Sequence, residues 1–544
     1  MNFIINESAQ KLRGGYYTPV DIATFITRWV KEGHAKSILE PSCGDGAFLQ
    51  ALSLTGTEPD TKITGFELDP IEAKKAEFLS ETAKLNAKII NADFLSWALE
   101  QLNTGGQKFD AVIGNPPFIR YQYLPENFQN IAEQIFVKFN CKFTKHTNAW
   151  VPFILASIGL LKPGGRLAMV IPSEIIHVLH AQSLRTMLGM TCRKLVIIDP
   201  EEIWFEGTLQ GAVILMAEKK KSPDEYSEGL GILQVKGRSF LTESPSVTFN
   251  KVIPINGKTV EGKWTKAFLS VPVRNIIEEI ENLPTVHRFK KIAKVDVGIV
   301  TGANNFFLVN DETVEKYKLQ QWAHPMFGRS EHCPGVIYDK KQHKKNSAAG
   351  LPSNFIWFPE GAANQYGEVA RYIALGETQD LHTRYKCRIR KCWYTVPSVS
   401  TSEIGMLKRS HDAPRLILNE AGAYTTDTAY RITALNVDAR LLVSAFINPL
   451  TAISAELEGR TYGGGVLELV PSEIEKLLIP IPTKSSIDLQ ELNCSIKSRS
   501  ISEALATYGS KTLEDSGITK QQSADLLDTW ITLKNRRQRK NVEE

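Results

Sequence analysis

Four consecutive residues, Asn115-Pro116-Pro117-Phe118, combine groups that suit one kind of chemistry. They follow a short apolar run, Phe109-Asp110-Ala111-Val112-Ile113-Gly114, and so stand where a buried strand gives way to a loop. Two prolines fix φ and remove two backbone donors, so the carbonyls there face outward and do not continue a ladder. The Asn115 side-chain oxygen and the Pro116 carbonyl are two acceptors, which matches the two hydrogens of an amine on a planar ring. Phe118 adds a flat apolar face. The competing reading is an ordinary proline turn after a strand.

The preceding residues supply further polar groups at strand ends. Ser37-Ile38-Leu39-Glu40-Pro41-Ser42-Cys43-Gly44-Asp45-Gly46 reads as a strand, a glycine-containing turn and a helix start, and glycines there allow close backbone approach to a ligand. The full G-x-G-x-x-G pattern is missing, which argues against a dinucleotide. A second strand, Ile63-Thr64-Gly65-Phe66, ends in Glu67-Leu68-Asp69, and its spacing suits a carboxylate that accepts from ribose hydroxyls. A third, Ala87–Asn91, leads into Asp93-Phe94, an acceptor for an adenine amine beside an aromatic ring. Each acid taken singly is also a natural helix N-cap.

As a set, Glu-Pro-Ser-Cys-Gly-Asp-Gly, Phe-Glu-Leu-Asp, Asn-Ala-Asp-Phe and Asn-Pro-Pro-Phe resemble the S-adenosylmethionine-dependent amino-methyltransferases. Their order resembles the gamma class of DNA adenine-N6 methyltransferases, of the TaqI type. The resemblance implies a doubly wound α/β class I methyltransferase sheet that binds S-adenosyl-L-methionine. The cofactor contacts it implies are Tyr17, Thr18, Glu40, Pro41, Ser42, Cys43, Gly44, Glu67, Leu68, Asp93, Phe94 and Pro117. Asn115, Pro116 and Phe118 would act on the target base. Ile203-Trp204-Phe205-Glu206-Gly207 resembles the motif whose Phe covers the base from its other face, which assigns that role to Phe205. Without the resemblance, Phe205 reads equally well as a core aromatic at a strand edge.

The second half resembles the same class in Val295–Phe307 and in Gly459-Arg460-Thr461-Tyr462-Gly463-Gly464-Gly465, which imply a target-recognition domain on duplex DNA. The segment from Arg384 to Tyr394 mixes cations (Arg384, Lys386, Arg388, Arg390, Lys391) with aromatics that include Trp393 and Tyr394, a composition that suits phosphates and bases. A solvated edge strand is the alternative. Tyr462 joins the expected DNA contacts. The tail Lys534–Lys540 reads as a helix end or a basic arm.

The elements that must position these groups follow from periodicity. Apolar runs from Ile38 to about Ala217 alternate with helical stretches such as Asp69–Leu85 and Trp150–Leu161, the pattern of a parallel sheet. At 544 residues the chain exceeds one core. The expected division is a catalytic domain over 1–244, a mixed β-rich recognition domain over 245–483 and a helical segment over 484–544. Of the 64 Lys and Arg, 25 lie in residues 1–240 against 26 Asp and Glu, and 39 lie beyond against 34. The excess sits in the second half, as phosphate contacts would require.

Seven scattered cysteines, none at zinc spacing, read as free thiols, and no metal is expected. The absence of a signal peptide and of a membrane-length apolar run places the chain in the cytoplasm by expectation. The resemblance further implies a monomer and a companion restriction endonuclease. Alternatives are an RNA or protein-glutamine amino-methyltransferase, a cytosine-N4 enzyme, a non-catalytic DNA-specificity subunit, or a chain fused to a nuclease. The N-terminal extension lacks a nuclease motif, and Ser would be more typical at position 115 of a cytosine enzyme.

Overall fold

The computed structural model describes residues 18–202, 204, 211–255, 262–462, 464–484 and 486–538. The chain divides into two compact units, one running to Phe268 and the other from Leu269 to Gln538.

The first unit alternates helices and strands: α1 (Val20–Glu32), β1 (Ser37–Glu40), α2 (Ala47–Thr55), β2 (Lys62–Glu67), α3 (Pro70–Thr82), β3 (Ala87–Asn91), α4 (Phe94–Thr104) and β4 (Phe109–Gly114). There follow α5 (Glu126–Lys138), α6 (Trp150–Leu160), β5 (Leu161–Pro172), α7 (Gln182–Thr191), β6 (Cys192–Pro200), β7 (Ala212–Lys219), β8 (Gly229–Val235) and α8 (Pro245–Lys251). The eight strands form one sheet in the order β3-β2-β1-β4-β5-β7-β6-β8. β1 to β5 run parallel, β7 is antiparallel to both β5 and β6, and β8 closes the edge parallel to β6.

Alternation along the strands makes two cores. On β4, Val112 joins one core, with residues of α4, α5, α6 and α7; Ala111 and Ile113 join the other, with α1, α2, α3 and α8. Every residue of α6 is buried, so its C-terminal carbonyls need partners from within the protein. Lysines supply them: Lys108 Nζ donates to Gly159 O at 2.6 Å, and Lys219 Nζ donates to Ile158 O at 2.9 Å and Leu161 O at 2.8 Å. Burial, reinforced by the charge of Lys108, lowers the Lys219 pKa from 10.5 to about 8.

The packing boundary falls after Phe268, beyond the 244/245 junction expected after the edge strand at Leu233–Val235. The reason is aromatic. Phe249 of α8 lies 5.0 Å from the Trp29 ring, and Trp264 is buried in the first unit's core, so residues 245–268 complete that unit. The helical segment after 484 is likewise not separate. The helix Lys520–Gln538 packs within the second unit, where Arg537 forms a buried ion pair with Glu456.

The second unit holds several small sheets. Ala293–Val297, Ala429–Ala434, Ile404–Leu407 and Leu416–Leu418 form a four-stranded antiparallel one. It carries more helix than the β-rich reading expects, including Val271–Glu281, Gly367–Thr378 and Pro449–Glu458. The last shows why short helices escape a periodicity scan. It is specified by an Asn448 cap and Pro449 at its first turn, and almost all of it is buried, so it has no polar face to reveal a period. Among the described residues no single helix is long and apolar enough to cross a membrane.

Candidate active site

The strand order reverses between β1 and β4, which makes the loops after these two strands the walls of a crevice. Leu39 lies opposite Val112, so Glu40-Pro41-Ser42 and Gly114-Asn115-Pro116 leave the sheet side by side. Gly114 has φ +153°, and a side chain there would be strained and would stand 3.5 Å from Pro41 Cδ. The loops are also stitched: Ser42 Oγ donates to Asn115 O at 2.9 Å. Asn115 Nδ2 donates to Thr18 Oγ1 at 3.2 Å, which fixes the amide so that Oδ1 is its acceptor end. Pro116 is buried, and Phe118 is half-buried and packs against both cores. Residues 115–120 have no regular structure, as two prolines require.

The far side of this loop is held by a knot that residue-type reasoning missed. Ala149 N donates to Ile119 O at 3.0 Å, and Tyr121 N donates to Asn148 Oδ1 at 3.2 Å. Asn148 Nδ2 and Trp150 Nε1 both donate to Glu174 Oε1, at 2.7 and 2.9 Å. Glu174 stands two residues past the end of β5, and a lone acid just past a strand end is its only mark in the sequence.

Acidic groups gather beside the loop after β1. Glu67 is organised by backbone: Gly44 N donates to Oε2 at 2.9 Å and Asp69 N to Oε1 at 2.8 Å. Each oxygen keeps a further lone pair for a hydroxyl. Glu40 is the opposite case. It is fully buried, and neither carboxylate oxygen has a hydrogen-bond partner among the described residues. Burial, and then the charges of Glu67 and Asp45, hold its pKa well above the usual carboxylate range. Half-buried Asp45 is raised as well, mainly by desolvation. Gly44 (φ +52°) has open space where a Cβ would stand, and Leu68 is 70% exposed at the end of β2. An unpartnered buried carboxyl, an open backbone turn and an exposed apolar side chain fit a cationic ligand with an apolar part.

Other expected residues are placed differently. Asp93 caps α4, accepting from Leu95 N at 3.3 Å and Ser96 N at 3.0 Å, as Asp69 caps α3. Phe94 is 2% exposed and lies 5.6 Å from Phe66 and 5.3 Å from Phe153, so its ring is core and offers no face to a ligand. Cys43 is buried with its thiol pKa pushed far up by burial, which makes it a packing residue. Pro117 is half-buried beside Pro116. Tyr17 and Phe205 lie outside the described residues. Trp204, next to Phe205, is buried and stacked on Phe240. Among the described residues no group of His, Cys, Asp or Glu gathers at metal-binding distance.

In the second unit the basic segment is a helical turn, Tyr385–Arg388, and a loop, not an edge strand. Arg384, Lys386 and Arg388 are exposed. Arg390 is turned inward: Nη2 donates to Val300 O and Thr301 O, both at 2.8 Å, which ties this segment to the loop at Val300–Gly302. Lys391 pairs with Glu360. Trp393 packs 5.1 Å from Phe306, and Tyr394 is buried, so both aromatics belong to the core rather than to a base-stacking face. Tyr462 is 46% exposed on a short strand, with the Arg409 guanidinium 6.0 Å above its ring. Arg537 of the basic tail is buried, donating to Glu456 and to the carbonyls of His411 and Asp412.

Comparison with known proteins agrees with this division. The N-6 DNA Methylase family matches residues 2–235, and the C-terminal domain of the type II methyltransferase M.Eco57I matches residues 261–513. The type II methyltransferase M.AccI of Acinetobacter calcoaceticus is 24% identical over 486 residues, covering 85% of this chain and 84% of that one. M.XamI of Xanthomonas campestris pv. amaranthicola is 22% identical over 486 residues, covering 86% and 85%. The solved structure of the type IIG restriction endonuclease BpuSI aligns with 96% of this chain and 67% of its own, at 15% identity and a TM-score of 0.42.

Proposed function

We infer that this chain, which belongs to the N-6 DNA methylase family, transfers a methyl group from S-adenosylmethionine to the N6 amine of an adenine in duplex DNA, as the modification enzyme of a restriction-modification system. The observation that supports the reading best is the double anchoring of Asn115, by Ser42 on its backbone and Thr18 on its amide.

The acidic pocket suits the cofactor. Glu40, buried without a partner, is placed to accept from an ammonium group, and Glu67 from ribose hydroxyls. Leu68 offers an apolar contact to a purine, and Asp93 can accept from its amine with the lone pairs that capping leaves. Bound there, the cofactor supplies a methyl group activated by a sulfonium.

The protein's own residues act on the base. An adenine amine is a poor nucleophile because its lone pair is delocalised into the ring, and it is out of reach inside a duplex. Flipping it out costs about a few kcal/mol of stacking and pairing. Phe118 on one face, and Phe205 on the other, replace that stacking. Asn115 Oδ1 and Pro116 O accept the amine hydrogens and draw the nitrogen towards a tetrahedral shape, which frees its lone pair. The same two dipoles stabilise the positive charge that grows on nitrogen as the new bond forms. Because they are fixed before reaction, no reorganisation is needed. No covalent enzyme intermediate is called for. We further propose that the enzyme acts as a cytoplasmic monomer alongside a separate endonuclease, which light scattering on the purified chain tests for the monomer.

The deciding experiment is tritiated methyl transfer to duplex DNA with the modified nucleoside identified by mass spectrometry. N6-methyladenine is expected. Label on cytosine, RNA or a protein glutamine overturns the substrate.

A further inference from the structure

Residues Lys340–Ala348 form a nine-residue helix, Lys-Lys-Gln-His-Lys-Lys-Asn-Ser-Ala, in the second unit. Lys340, Lys341, Lys344 and Lys345 are all exposed, and at 100° per residue they share one 140° arc. Gln342 and Asn346, on the opposite arc, are buried. The helix itself carries no acid; Asp339, just before it, is spent as the N-cap, accepting from Gln342 N at 2.7 Å. None of the four lysines has an ion-pair partner among the described residues.

The helix is held by polar bonds instead of apolar packing. Gln342 Nε2 donates to Asn346 Oδ1 at 2.9 Å, Asn346 Nδ2 donates to His332 O at 2.8 Å, and Lys497 Nζ donates to Gln342 Oε1 at 3.3 Å. Tyr338 OH, which donates to Met326 O at 3.1 Å, lies 3.5 Å from Asn346 Nδ2. An ordinary solvated helix of this composition would gain from acids at i−4 or i+4; here like charges at i and i+4 oppose each other by about 0.2–0.5 kcal/mol per pair. A surface that keeps this repulsion, on a helix fixed by a buried amide ladder, fits a polyanion.

We propose that the Lys340–Lys345 face is a phosphate-contact surface that holds the backbone of duplex DNA. The proposal rests on the DNA-methyltransferase reading and adds the element that grips the substrate. It also adds a contact separate from Arg390–Tyr394, where the Arg390 guanidinium and both rings are turned into the unit and only Lys391 stays at the surface. Phosphate contacts position the duplex and do not read its sequence.

The test replaces all four lysines with glutamine in the full chain and measures binding to fluorescent duplexes, with and without the methylated site, over a series of salt concentrations. Each lost phosphate contact lowers the slope of log affinity against log salt by about 0.9, so a drop of about two to four is expected. Affinity should fall by the same factor on both duplexes, and the fourfold Lys→Arg variant should keep the original slope. An unchanged slope in the glutamine variant, or a loss confined to the duplex carrying the site, overturns the proposal. Failure of the unmodified protein to bind duplex DNA while it binds RNA overturns the DNA reading first, and is seen without any variant.

Discussion

The loops after β1 and β4 and the basic segment Arg384–Tyr394 were both conspicuous by residue type, yet packing treats them in opposite ways. In the first unit the groups suited to chemistry keep capacity. Glu40 has two carboxylate oxygens without partners among the described residues, and Glu67 spends only one lone pair per oxygen on backbone amides. In the second unit part of the capacity is consumed. Arg390 is taken up by carbonyls, and Trp393 and Tyr394 by the core, while Arg384, Lys386 and Arg388 stay exposed and Lys391 makes only a surface pair with Glu360. The difference teaches that a functional residue is marked less by its type than by what folding leaves it free to do. A buried group without a partner costs stability and so points to a ligand.

The comparison breaks most visibly at Asn115. Asn115→Ala should lower turnover by about a hundred- to a thousandfold, the usual cost of removing one placed dipole. Cofactor affinity, read by calorimetry, should hold; a parallel loss of affinity would make Asn115 part of the cofactor site instead.

Glu40→Gln sharpens it next. If the carboxylate meets a cationic ligand, the variant should weaken S-adenosylmethionine binding by about 1.5–3 kcal/mol, the worth of a charged hydrogen bond. The same change should raise the melting temperature of the ligand-free protein at neutral pH. The sign follows from the raised pKa of Glu40: between the ordinary carboxylate value of 4.5 and the raised one, the folded state binds more protons than the unfolded state, so stability falls as pH rises. Cofactor affinity should move the other way and strengthen with pH, because binding to the ionised carboxylate releases a proton. A lower melting temperature would show that Glu40 is structural.

Smaller effects separate Arg390 from Lys386. Arg390→Ala removes the guanidinium that donates to the carbonyls of Val300, Thr301 and Trp393 and should destabilise the second unit by about 1–3 kcal/mol in urea unfolding. Lys386→Ala, at an exposed position, should stay within about 0.5 kcal/mol. The reverse ranking would mean that Arg390 is free to serve DNA after all.

A further test lies outside both regions, at Lys219. Its pKa of about 8, against 10.5, means that the unfolded chain binds more protons between those values, so this group's contribution to stability improves as pH rises through that window. Thermal melts of Lys219→Met should show a flatter rise over the same range; an identical profile would show that Lys219 keeps its ordinary affinity for protons.

Much of the first unit was legible because strand ends, loops and ligands obey one topological rule. β4 was read from Phe109 to Gly114, the limits it has, and the order of acids along the chain gave their order across the sheet. What could not be read was how each group is spent. Asp69 and Asp93 stand in the same relation to their helices, and both are caps, so the sequence alone could not say which also faces a ligand. Phe94 lies beside Asp93 yet packs into the core against Phe66 and Phe153, contacts that no local pattern in the sequence reveals. The packing of Phe249 on Trp29 and of Trp264 in the first unit's core, which carries that unit on to Phe268, leaves no local pattern in the sequence. The four-lysine helix has no aromatic among its cations to mark it in the sequence, and its significance rests on the buried amides behind it.

The joint between the loops after β1 and β4 has a consequence for how such an enzyme can change over generations. Gly114 tolerates no side chain without strain, and Ser42 holds the backbone of Asn115 directly. A side chain at 114 or loss of the Ser42 hydroxyl therefore disturbs the backbone at 115, whereas a change of the residue at 115 keeps the carbonyl that Ser42 holds. Homologues should therefore keep glycine at 114 and a hydroxyl at 42 even where the residue at 115 differs.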